Sequence, residues 1–94
     1  MSKKFLPSYD DNEIIYWEDD WICYKFPNKI TENNKHEAEC FDAYNNTFVD
    51  FSWKTADEIA DYCFTDNQNF WREISVNSYY EARNGVLKRL EENS

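Results

Sequence analysis

TFVDFSWKTADEIADYC, residues 47–63, changes its hydrophobic period midway, and that change decides the fold. Up to Trp53 the apolar side chains alternate, so Val49, Phe51 and Trp53 share one side of an extended chain. After Thr55 they recur at helical spacing, as Ile59, then Tyr62 and Cys63. Between the two halves, Thr55-Ala56-Asp57-Glu58 reads as a capping box. In that motif the Thr55 hydroxyl accepts from the Glu58 amide while the Glu58 carboxylate reaches back. A strand gives way to a helix here.

Upstream of this boundary the chain reads as strands. AECFDAY (38–44) and TFVDFSW (47–53) flank Asn45-Asn46, a turn that asparagine suits because it tolerates left-handed backbone. That pairing gives Ala38, Cys40, Asp42 and Tyr44 a common, buried-looking face with Val49, Phe51 and Trp53. Glu39, Phe41, Ala43, Phe48, Asp50 and Ser52 form a half-polar face opposite. Earlier still, IIYWEDDWICYKF (14–26) holds two apolar runs rich in β-branched and aromatic residues, the second ended by Pro27. A turn at Asp19-Asp20 sets Trp17 opposite Ile22 and Ile15 opposite Tyr24. Ile15, Trp17, Ile22, Tyr24 and Phe26 then form a core side, with Ile14, Tyr16, Trp21, Cys23 and Lys25 on the other. NKITENNKHE (28–37) is polar, without periodicity, and reads as a loop; residues 1–11 read as a flexible lead-in that Phe5, Leu6 and Tyr9 can pin.

Downstream, Thr65 with Gln68 repeats the helix-start signal before Phe70, Trp71 and Ile74. Ser78 with Glu81 opens a last helix carrying the stripe Tyr79, Ala82, Val86, Leu87 and Leu90. The stripe keeps its phase through Gly85, so the helix is expected to run on despite a cost of ~1 kcal/mol relative to alanine. Strands grouped first and helices after imply an α+β fold. The expected architecture is an antiparallel sheet of about four strands in two hairpins, followed by two or three helices packed on one face. Residues 1–94 form one domain in this reading.

Composition narrows the function. Eighteen aromatic residues argue for a folded core. No apolar run approaches the ~18 residues of a membrane span, and no apolar stretch follows the lysines near the start, so a cytoplasmic location is expected. Cys23, Cys40 and Cys63 are odd in number and widely spaced, which predicts reduced, metal-free thiols. The net charge of −9 is unevenly placed: residues 1–71 hold 15 acids and 6 bases, and residues 72–94 hold 4 of each. Residues 5–20 contain six acids and no base. Such a surface repels phosphate and anionic lipid and attracts basic proteins, so neither direct nucleic-acid binding nor membrane binding is expected.

Catalytic signatures are weak throughout. His36, the single histidine, sits in the asparagine-rich loop with no sequence neighbour to orient it. Cys23, His36, Cys40 and Cys63 lack the close cysteine pairing common in structural zinc sites. The acidic runs at 10–13 and 66–69 do not fit a calcium loop, and a single glycine rules out a phosphate cradle. No enzyme activity, cofactor or metal is expected. What remains is an interaction surface, in which Tyr16, Glu18, Asp19, Asp20 and Trp21 combine carboxylates with flanking rings and no local base. Asp57, Glu58 and Asp61 supply a further acidic patch. The expected function is a small acidic inhibitor of a basic nucleic-acid-handling enzyme, its carboxylates standing where phosphates bind and its rings where bases stack. An immunity or antitoxin protein against a toxin nuclease would fit. So would a phage counter-defence protein acting as a nucleic-acid mimic (an anti-CRISPR or a restriction inhibitor). The alternative is a small adaptor or assembly subunit whose acidity serves only solubility.

Overall fold

The computed structural model describes residues 4–63 and 72–93. Five strands form one antiparallel sheet: β1 (Ile14–Asp19), β2 (Ile22–Pro27), β3 (Glu39–Asp42), β4 (Thr47–Phe48) and β5 (Arg72–Glu73), in the order β4-β3-β2-β1-β5. A 3-10 turn spans Lys35–Glu37, and two helices follow, α1 (Ala56–Cys63) and α2 (Val76–Glu92). The α+β class and the change of period at Thr55 both appear. The sheet has one strand more than expected, because β5 adds to the free edge of β1 through Trp17–Glu73 and Glu18–Arg72. The expected helical start at Thr65–Gln68, with Phe70 and Trp71, lies outside the described residues.

The first hairpin turns one residue later than expected, on Asp20-Trp21, with Asp19 opposite Ile22 and Trp17 opposite Tyr24. Asp20 takes the left-handed φ of 54° that the turn requires. Moving a turn by one residue shifts each pairing by two, and a shift of two leaves every side chain on its own face. Ile15, Trp17, Tyr24 and Phe26 are therefore buried together, as the alternation implies. The second hairpin pairs Phe41 with Phe48 and Asp42 with Thr47, leaving a longer loop over 43–46. The Asp42 carboxylate starts that loop by accepting from the amides of Tyr44 (2.8 Å) and Asn45 (3.0 Å), and Asn46 closes it at φ 55°.

Two expectations fail for a shared reason. Tyr44 and Trp53 belong to loops rather than to the buried strand face. Tyr44 lies in the β3–β4 loop, and after β4 the chain leaves the ladder and turns, with the Lys54 amide donating to the Phe51 carbonyl. Both rings stand in solvent.

The sheet is covered on both faces, not one. Ile59, Ala56 and Cys63 of α1 join Ile15, Trp17, Tyr24, Phe26, Ile30 and Cys40 on the first face. Tyr79 and Val86 of α2 pack with Cys23 and Phe41 on the second, with Tyr16, Phe48 and Tyr80 around them. A polar tie fixes α2 there: the Tyr79 hydroxyl donates to the Glu39 carboxylate, which also accepts from Arg83 Nε at 2.9 Å. Burial first, and then that bond, push the Tyr79 phenol far above its ordinary pKa.

Capping follows the sequence closely at α1 and less so at α2. Thr55 N–H donates to Glu58 Oε1 (2.9 Å) and the Glu58 amide to Thr55 Oγ1 (3.2 Å), the reciprocal box. α2 starts one turn before Ser78, with Ser75 as its cap accepting from the Ser78 amide at 3.0 Å. It runs unbroken through Gly85.

The lead-in is anchored rather than loose. Asn28, fully buried, accepts from the Leu6 amide (2.8 Å) and donates to the carbonyls of Leu6 (2.8 Å), Tyr9 (3.1 Å) and Asp10 (3.3 Å). Phe5 then stacks on Trp17 with centroids 6.0 Å apart.

Cys23, Cys40 and Cys63 are buried free thiols. Burial raises Cys23 to about 11 and Cys40 to about 12, and pushes Cys63 further up. Since the thiolate is the reactive form, the folded protein should resist a disulfide reagent at mild alkaline pH, and all three thiols should react once urea unfolds it. The unfolded thiols ionise first as pH rises, so stability should fall from about pH 9 upward, measurable as a drop in the urea midpoint. Rapid labelling without unfolding would show the thiols to be open to solvent.

Candidate partner-binding surface

The residues singled out around the first hairpin separate into three environments. Tyr16 belongs to the α2 core, its ring 5.1 Å from Tyr79 and 6.2 Å from Tyr80, and offers little to a partner. Glu18 is matched by a base from far along the chain: Arg72 Nε donates to its Oε1 at 2.6 Å. The field of the acidic run is thus opposed at Glu18, which local sequence did not reveal. Such a half-exposed pair contributes no more than ~1 kcal/mol to stability. Asp19, Asp20 and Trp21 remain at the hairpin tip, and neither carboxylate makes an ion pair among the described residues.

Trp21 has a companion that sequence reading missed. Tyr44, from the β3–β4 loop, lies 5.9 Å from it at a tilt of 41°. Trp21 is 63% exposed, Tyr44 71% and Trp53 91%, whereas Trp17 is fully enclosed. The pairing follows from the sheet register, since Ile22 faces Asp42 and the Ala43 amide donates to the Trp21 carbonyl at 2.8 Å. No spacing along the chain signals it.

Asp57, Glu58 and Asp61 lie on the exposed side of α1. Glu58 is occupied by the capping box, whose bonds hold its carboxyl below the usual range. Asp57 and Asp61, one turn apart, form no ion pair among the described residues. By contrast, most described bases are engaged: Lys4 and Lys29 with Asp11, Lys35 with Glu32, Arg72 with Glu18 and Arg83 with Glu39. The unmatched carboxylates and the exposed rings are what the folded surface leaves over.

Trp21 and Tyr44 also wall a groove of about 640 Å³ against α2. Ala43, Ser78, Ala82 and Gly85 are its small lining residues, with Glu81 and Arg89 as its charged members. A second groove, about 450 Å³, lies beside β4 with His36, Glu39, Phe48 and Phe51 among its lining. Among the described residues, no group of three or more His, Cys, Asp or Glu side chains is arranged to hold a metal ion. No described helix is long and apolar enough to cross a membrane. Comparison with protein families, with curated proteins and with solved structures found no match to this chain.

Proposed function

We propose that this protein is a small acidic inhibitor that acts in the cytoplasm by binding and blocking a basic nucleic-acid-handling enzyme. Such an enzyme would be a toxin nuclease, met by an immunity protein or antitoxin, or a CRISPR or restriction effector, met by a phage counter-defence protein. The observation that carries the reading is the exposed Trp21–Tyr44 pair at the tip that also holds Asp19 and Asp20, with which no described base forms an ion pair. In a basic substrate groove, carboxylates occupy phosphate positions and rings replace stacked bases, while the net charge of −9 speeds approach. The inhibitor needs no catalytic group of its own.

Pull-down from the native host would supply the partner, and association kinetics would test the surface. Asp19→Lys with Asp20→Lys should leave the fold intact, because Asp20 is exposed and Asp19 is the last, half-buried residue of β1, and slow association about tenfold or more at low salt. The deficit should shrink at high salt. If the reversed protein associates as fast as the parent at low ionic strength, the tip is only a solvated turn.

A second reading has its own support in Val76, Leu87 and Leu90, which α2 leaves partly exposed. An adaptor or assembly subunit would pair through that apolar face, and its complex would be nearly indifferent to salt. Salt dependence therefore separates the two classes.

A further inference from the structure

The groove between the hairpin tip and α2 has the chemistry of a receptor for one cationic side chain. We propose that it seats an arginine from a basic segment of the partner, an inference that rests on the inhibitor reading and specifies its contact. Trp21 and Tyr44 both line the groove, and aromatic rings suit a planar guanidinium, which stacks on them better than an ammonium does. Glu81 lines the same groove and makes no ion pair among the described residues, so its carboxylate is open to a forked pair of N–H donors. Ala43, Ser78 and Ala82 keep the rest of the lining small.

Arg89 does not oppose this occupant. Its guanidinium lies back over Gly85, with Nε donating to Asn46 Oδ1 (2.6 Å) and Nη2 to the Ala43 carbonyl (3.3 Å). It makes no ion pair with Glu81, and two of its donors are turned to the β3–β4 loop. The groove therefore offers one carboxylate and one guanidinium, the latter already bonded to the loop. A segment with an arginine over Glu81 can set a backbone carbonyl toward Arg89. The space over Gly85 is taken by the Arg89 guanidinium, whose nearest atom would lie 3.3 Å from a methyl group placed there.

The test uses the whole protein and a defined probe, a Gly-Arg-Gly peptide blocked at both ends, titrated at low salt and followed by two-dimensional NMR. Lysine and norleucine peptides of the same form are the controls. Saturable shifts should appear at the Trp21 indole and at residues 43–44 and 78–85 with arginine, and be much weaker with either control. Glu81→Gln should weaken binding about tenfold, the loss of one charge-assisted pair. Tyr44→Ala should weaken it several-fold with little change in Tm, because the ring is largely exposed and the cation–π contact is lost. Equal binding by Glu81→Gln, equal shifts from lysine, or shifts centred on Asp57 and Asp61 would each overturn the arginine seat. Asp19 and Asp20 lie outside the groove, so the salt dependence of their charge reversal still decides the inhibitor reading separately.

Discussion

Replacing Trp17 with alanine should lower the free energy of unfolding by ~3–5 kcal/mol, the largest single loss expected in this fold. Its indole is fully buried, stacked on Tyr24 at 4.1 Å and on Phe5 at 6.0 Å, within the α1-side core. Neither neighbour can collapse into the space, since Tyr24 is fixed in β2 and Phe5 is held by the anchored lead-in. A chain of this length is stable by roughly 5–14 kcal/mol, so the variant should be close to the edge of folding. Urea unfolding monitored by far-UV circular dichroism would show the midpoint fall with little change in slope. Trp17→Phe should recover part of the loss. A shift below ~1 kcal/mol for the alanine variant would mean that the stack is not the centre of the core.

The second large effect is expected at Asn28. Asn28→Ala deletes one acceptor and a donor group shared among three carbonyls; the part-buried Leu6 amide and Tyr9 carbonyl lose their partner, while the Leu6 and Asp10 carbonyls keep the amides of Tyr9 and Glu13. The cost should be ~2–4 kcal/mol, bounded by release of the lead-in, which rehydrates those groups. Amide exchange at Leu6 should rise far more than exchange at Tyr24, and proteolysis should clip the first residues while the sheet stays intact. Asn28→Asp is nearly isosteric and should do worse at neutral pH, since a carboxylate would face three carbonyl oxygens. Lower pH should restore it in part, because protonation returns a donor. Uniform exchange across the protein in either variant would show that Asn28 supports the whole core rather than the lead-in.

Local physics made part of this structure readable and hid the rest. Alternation placed Ile15, Trp17, Tyr24 and Phe26 on one face although the hairpin turns a residue later, because face depends on parity and not on register. The Thr55–Glu58 cap is a short-range exchange of bonds, so it could be seen directly in the letters. Coverage of both faces was not visible, since it hangs on Tyr79 and Arg83 meeting Glu39, partners 40 and 44 residues apart. The same distance hid Arg72 from Glu18, and β5 itself, two exposed charged residues with no apolar pattern to announce a strand. At the candidate surface, Asp19, Asp20 and Trp21 were legible as an exposed acidic tip. Tyr44 was not, because only the pairing of β2 with β3 brings the two loops together.

Both hairpin loops turn on residues that carry a side chain, Asp20 at φ 54° and Asn46 at φ 55°, in a chain with a single glycine. Glycine would reach those angles without strain, but it would also let each loop wander among many conformations. A Cβ at the bend narrows that wandering and holds the tip in shape before anything touches it. Ordering a contact surface on association costs ~0.5–1.5 kcal/mol for each mobile side chain, and a tip already in place avoids much of that loss. The stiffness of the two bends therefore favours recognition close to rigid docking, in which diffusion and charge set the rate and little rearrangement follows the encounter.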